Sequence, residues 1–538
     1  MKFTDNQYEK VSGRSQKLNK FMLRAVMNVT VLASRGASVP GPNGTRISPW
    51  AEALRLAKSL TTHCSRYLHR RRTHLRWFVP RIEQLEMRLT LSTVDFRGSF
   101  LNVPLTPAVA DLNGDGWNDV LGALNDQQGN LVPQSLSAMG LGALFANGRV
   151  NRHTAVADFN GDSLLDIVGD TYTDYGDTNS LALLFIQNPN GTFTEDTTFR
   201  TMSLRGYGET IVTADFNNDG ALDIFLPYYT FPYPDGSGKT NAPQCYLLIN
   251  DGSGHFTEIA VPAGVSLSNW PDPNLRPEGA QAVDFNGDGL LDLYVASHLF
   301  LNNANLTFTD VRQQVGLPLQ FDEGAKFLDW NNDGHLDLVL MHPSTGLHLY
   351  EFNGTTFTEK TTTVDGKPFF STGTPGFNTV PFVSAYGMNV YDVNNDGLED
   401  IATMGGTSAD NTLFLNTGTG FVRAQLPLSG DGGTSFVGLG NGQSGMSFGD
   451  INRDGKIDIL YPANGRMRYF VNTTATDAGT GSLSVEVLGP NGERNQQGRV
   501  VKVMQPGITM TRVVDGGSGY MAQTQYPILV GSGVCRTH

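Results

Sequence analysis

The stretch Asp284-Phe-Asn-Gly-Asp-Gly-Leu-Leu-Asp292 decides the fold of this chain. Its carboxylates stand at positions one, five and nine, with an amide at three and a glycine at six. A hard cation takes six to eight oxygens at short range, and a tight turn must bend those side chains inward to supply them. Gly289 permits the sharp turn, and the odd-numbered side chains then converge. A single copy is equally well read as an acidic, glycine-rich hairpin turn.

The nonamer is not single. It recurs as Asp111, Asn113, Asp115, Asp119; as Asp158, Asn160, Asp162, Asp166; and as Asp215, Asn217, Asp219, Asp223. After the copy at Asp284, Asn286, Asp288, Asp292 come Asp329, Asn331, Asp333, Asp337, then Asp392, Asn394, Asp396, Asp400, and finally Asp450, Asn452, Asp454, Asp458. First positions lie 47, 57, 69, 45, 63 and 58 residues apart, a spacing that marks repeated supersecondary units. A plain turn has no reason to keep three aspartates and an asparagine in one register seven times. The pattern predicts up to seven structural Ca2+ ions, with these residues as the metal ligands.

The flanks define the kind of loop. Short alternating runs such as Ala280-Gln-Ala-Val283 precede the motif, and buried-looking runs such as Leu291-Asp-Leu-Tyr-Val-Ala296 follow it. Both read as strands. An EF-hand needs flanking helices and a glutamate at position twelve, where Val295, Leu226 and Leu340 stand, so that reading is rejected. Each repeat continues into another apolar run and an Asn/Gly turn ending in Phe, as in Leu247-Leu-Ile-Asn-Asp-Gly-Ser-Gly-His-Phe256. Strand, hairpin, strand, strand, turn, strand is one four-stranded blade, and seven blades make an all-β propeller. The recurrent Phe is expected to pack between blades.

These motifs, with the Asn-x-Gly-x-Phe turns, resemble the FG-GAP/VCBS repeats of integrin-α-like propellers over roughly residues 95–475. The resemblance implies that the hairpins join the first two strands of each blade. It also implies that position seven gives a backbone carbonyl, which explains Trp117, Ala221, Leu290 and Lys456 there. Ser163 replaces the position-six glycine in the second copy, so that loop is expected to be strained or reshaped.

The formal charge of −14 conceals two unlike parts. Residues 1–94 carry 17 Lys/Arg against 5 Asp/Glu, and the remainder carries 21 against 47. The hairpin aspartates account for 21 of those 47 acidic residues, and no basic face is left there to attract nucleic acid. Residues 1–94 read as a basic targeting or disordered segment. The apolar patch from Met22 to Ala33 is too short to span a bilayer and reads as a poor signal segment. Arg81, Glu83, Leu85, Glu86, Arg88, Leu91 and Ser92 match a signature placed before secreted or surface proteins of planctomycete bacteria. That likeness implies a secreted or cell-surface protein. The start at Met1 is a candidate for a misplaced translation start. Cys64, Cys245 and Cys535 give no disulfide framework.

Residues 482–538 read as a small β module. Gly519, Tyr520 and Gln523 resemble the core of the ASPIC/UnbV domain, which follows such repeats in the cartilage acidic protein family. The family pattern has a further strand beyond Cys535, so a truncated module is expected.

No nucleophile elbow, zincin motif or P-loop is present in the sequence. His342 and His348 read as packing or surface residues. The stretch from Pro227 to Lys239, aromatic among prolines, is a candidate exposed loop for ligand contact. The functional expectation is therefore non-enzymatic: a calcium-stiffened propeller for adhesion to an extracellular protein or glycan. Two alternatives stand beside it, a calcium-dependent polysaccharide lyase or hydrolase and a structural envelope component.

Overall fold

The computed structural model describes the chain from Phe96 to Gly531, apart from intervening segments of which 173–180, 230–243, 269–276, 369–384 and 426–444 are the longest; it also describes the pairing of Val39–Pro40 with Arg46–Ile47. The expected targeting segment, with its apolar patch and surface-protein signature, lies outside the described residues, as do Cys64 and Cys535.

Seven antiparallel sheets form the blades, spanning 109–133, 150–195, 212–258, 280–310, 324–359, 385–425 and 447–472. Blade 4 shows the plan: strand a is Ala280–Val283, strand b Asp292–Val295, strand c His298–Asn302 and strand d Phe308–Asp310. Strand a is buried on both faces, whereas strand d carries exposed side chains. That gradient places strand a innermost, and at five of the seven junctions strand a packs against strand a of the next blade. A short pair, Thr363–Val364 and Lys367–Pro368, extends blade 6 at its outer edge.

Among the described residues, blade 7 supplies three strands of its own. Its fourth is Phe96–Leu101, paired antiparallel with Arg466–Asn472 from Phe96↔Asn472 to Leu101↔Met467. The beginning and end of the ring are thereby sewn into one sheet, and no blade edge is left to separate.

The recurrent Phe packs between blades as expected. Phe256 meets Phe159 edge-on at 6.0 Å, Phe308 meets Phe216 at 5.9 Å, and Phe421 stacks on Trp330 at 6.3 Å. In each case the partner is position two of the preceding hairpin. Tyr228 and Tyr229, at the start of the stretch expected to be exposed, are instead almost fully buried; the rest of it, 230–239, lies outside the described residues. Tyr229 donates to Glu278 at 2.8 Å, so this pair of aromatics is core.

A chain beginning at residue 102 is expected to lose on the order of 3–5 kcal/mol, at roughly 1 kcal/mol per net strand hydrogen bond. Thermal melting followed by circular dichroism checks this; an unchanged melting temperature contradicts closure by that strand.

Candidate metal hairpins and the segment that covers them

All seven nonamers join strands a and b at one end of the ring, and all seven share one hydrogen-bond pattern. The amide of position six donates to the position-one carboxylate in every copy, from Gly116 to Asp111 at 2.8 Å round to Gly455 to Asp450 at 2.9 Å. The position-five amide donates to the position-three asparagine oxygen, and the position-seven amide to the position-five carboxylate. The side chains at one, three and five are thus turned onto the loop's own amides. Among the described residues, no three acidic or His/Cys side chains stand close enough as they are to hold a metal ion.

Position six needs a left-handed backbone, with φ from 80° to 94° at the six glycines. Ser163 adopts the same conformation at φ 71°, and its amide still reaches Asp158 at 2.8 Å. The second loop is therefore strained but keeps its shape.

Position nine does different work. Asp119, Asp166, Asp223, Asp292, Asp337, Asp400 and Asp458 are all fully buried. One oxygen accepts from the amide of position two, and the other from an amide of strand c, over 2.6–3.2 Å. Burial pushes the carboxyl up to about 7 for Asp119, Asp166, Asp292 and Asp458, and to about 8 for Asp223 and Asp337, against the pull of those amides. Asp400 is likewise raised well above the ordinary carboxylate range, by burial and by Asp396 and Asp392.

Strand c holds the residue that sequence reading missed. Asn250 donates its side-chain amide to Phe159 O of the preceding blade at 2.7 Å and to Leu222 O of its own at 3.0 Å. Asn125, Asn302, Asn416 and Asn472 make the same double bond, and Gln187 reaches Leu112 O at 2.6 Å. Six of the seven blade junctions carry this staple. At the junction of blades 4 and 5 the position is Phe352, which packs on Phe285 at 4.9 Å with Phe357 beside it. The Asn-Gly turn was legible; its reach into the neighbouring blade was not.

The C-terminal segment lies on this hairpin end. It forms two antiparallel pairs, Ser482–Val485 with Ile528–Gly531 and Val500–Gln505 with Ile508–Val513. Gln523 grips Val156 by both its amide and carbonyl, at 2.6 and 3.0 Å, while its own carbonyl accepts from Val109. The Gly516 carbonyl accepts from Thr213, and Asp515 pairs with the buried Lys326 at 3.1 Å. Gly516 and Gly517 pass so close to Thr213 O and Ile211 O that a Cβ would stand 2.3 Å away. Further out, Asn495, Arg499, Lys502 and Arg512 donate to the position-six carbonyls Gly220, Gly289, Gly334 and Gly397, one in each of four successive hairpins. Tyr520 lies outside the described residues.

A model of the FG-GAP-like repeat matches residues 158–226, 284–340 and 392–461. This is an FG-GAP-repeat β-propeller. The chain is similar to cartilage acidic protein 1 of Xenopus tropicalis, 28% identical over 204 residues that make up 38% of this chain and 28% of that protein. It is also similar to the Homo sapiens protein of that name, 32% identical over 27% of this chain and 20% of that one. The matches thus span less than a third of the length of these relatives. Among solved structures, Bacillus licheniformis rhamnogalacturonan lyase PL11 superposes with a TM-score of 0.31 at 11% identity, covering 71% of this chain and 76% of that one. Likeness at that level says nothing about what this FG-GAP propeller does.

Two substitutions test the local account. Asn416→Ala strips a donor from two buried carbonyls and is expected to cost about 1–3 kcal/mol in denaturant unfolding. Ser163→Gly relieves a left-handed non-glycine residue and is expected to stabilise by about 1 kcal/mol. Equal stability of either variant and the parent contradicts the corresponding reading.

Proposed function

We propose that this chain is a calcium-binding secreted or cell-surface propeller that mediates adhesion to a protein or glycan partner without catalysis. The observation that carries the reading is the inward set of seven acidic hairpins at one end of a closed ring. Their donors are carboxylate, amide and carbonyl oxygens, the chemistry a hard cation takes. At the fourth hairpin the fit is most direct: Asp284 Oδ1 is out of solvent contact and accepts no hydrogen bond. A buried carboxylate oxygen without a donor is costly, and a divalent ion offsets that cost. Position-nine carboxyls driven up by burial have the same need for counter-charge. Asp284, Asn286, Asp288 and Asp292, with their counterparts in the other blades, would hold the ion, whose role is to stiffen the hairpin.

Extracellular modules with weak sites fill at millimolar calcium, which agrees with a surface location. No helix among the described residues is long and apolar enough to cross a membrane. The C-terminal segment, read as an ASPIC/UnbV-like module, occupies the hairpin end, reaching strand a of blades 1 and 2 and the hairpins of blades 3 to 6. Partner binding is therefore assigned to the opposite end, where the longer connections such as 227–245 leave the blades.

Calcium at 10 mM is expected to raise the melting temperature of the chelator-treated protein by on the order of 10 °C. Glycan-array and pull-down retention should be lost in chelator. Turnover of a polysaccharide, abolished by substitution outside the hairpins, overturns the non-catalytic reading in favour of a lyase or hydrolase.

A further inference from the structure

Position four of the hairpin is left-handed in all seven copies. The angle φ is 71°, 77° and 74° at Gly114, Gly161 and Gly287, and 58°, 55°, 58° and 57° at Asn218, Asn332, Asn395 and Arg453. Glycine takes that conformation freely, asparagine tolerates it, and arginine is strained there. Four copies nevertheless carry a side chain, and each side chain reaches the next hairpin round the ring. Asn218 Nδ2 donates to Gly289 O at 3.2 Å, Asn332 Nδ2 to Gly397 O at 3.2 Å, and Asn395 Nδ2 to Gly455 O at 2.8 Å. The Arg453 guanidinium lies over the Trp117 ring, 5.2 Å from its centroid, at position seven of the first hairpin.

The acceptor in the three asparagine cases is the carbonyl of the position-six glycine. The amide of that same glycine donates to the position-one carboxylate of its own loop: Gly289 to Asp284, Gly397 to Asp392 and Gly455 to Asp450. One glycine is therefore held from outside by the preceding hairpin and from inside by a ligand carboxylate.

We propose that position four is a latch that couples ion binding in one hairpin to ion binding in the next, an inference that rests on the calcium reading of these loops. Loading one loop fixes its left-handed turn and so presents the donor to its neighbour. The neighbour then has less freedom left to lose when its own ion binds, which is positive coupling through ordering. The latches are unevenly placed. They join hairpins 5, 6, 7 and 1 in one chain and hairpins 3 and 4 in a pair. Glycine at 114 and 161 leaves hairpin 2 outside both groups, and glycine at 287 leaves hairpins 4 and 5 without a position-four link; the C-terminal donors Arg499 and Lys502 touch those two hairpins, and they are the same in the parent and in every variant used below. The strand-c staples cannot produce this grouping, because they serve latched and unlatched junctions alike.

Calorimetric calcium titration of the full chain, stripped with chelator beforehand, tests the latch. The parent is expected to show a steep phase with a Hill coefficient above one. In Asn332→Gly/Asn395→Gly/Arg453→Gly the number of ions bound should be unchanged, while the steep phase flattens and its midpoint rises about five-fold. Glycine already serves this position in three copies, so the variant is expected to keep the parent's circular dichroism spectrum. Asn218→Gly is the internal control and should leave the steep phase intact. Independent sites in the parent, equal steepness in the triple variant, or equal loss in the control overturn the latch while calcium binding stands. No bound calcium in the parent overturns both.

Discussion

The buried aspartate at position nine is the constraint on which the ring depends. In each blade it accepts one amide from the hairpin and one from strand c, out of contact with solvent. A carboxylate in that setting fixes three things together: the curl of the hairpin, the pairing of strands a and b, and the place of strand c beside them. The strand-c residue whose amide it accepts is, in six blades, the Asn or Gln that reaches into the preceding blade. Hairpin geometry is thus transmitted sideways, and the seven sheets become one ring instead of seven separate packs.

Two devices complete the ring. The strand Phe96–Leu101 closes the last blade, and the C-terminal segment ties the inner strands from the hairpin end. Their chemistry differs. Closure uses backbone pairing and the buried Leu101, whereas the C-terminal segment uses a glutamine clamp, a buried ion pair and glycines where no side chain fits. The hairpins of blades 3 to 6 consequently have partners on both sides, their own blades below and the C-terminal side chains above.

The hairpins and the number of blades were legible because the evidence for them is local: nine residues carry a whole hairpin, and repetition makes the count certain. The Phe contacts between blades and the strained Ser163 follow from the same short-range pattern, whereas position nine was read only as an ion ligand and its burial under two backbone amides was not. What could not be read is what one blade does to another. Asn250 and Asn416 look like turn formers, and nothing nearby in the chain announces carbonyls some 90 residues earlier. Tyr228 and Tyr229 sit among prolines in sequence yet in the core in space. Position four carries Gly in three hairpins, Asn in three and Arg in one, and what that choice means needs the neighbouring loop. Pairing of 96–101 with 466–472 leaves no signature in either segment.

Anomalous diffraction from crystals grown in calcium tests the central claim most directly. The account predicts a peak within each of the seven hairpins, with oxygens from positions one, three, five and nine at about 2.3–2.6 Å. Hairpins without peaks, or with their position-one and position-five carboxylates turned to solvent, would contradict it.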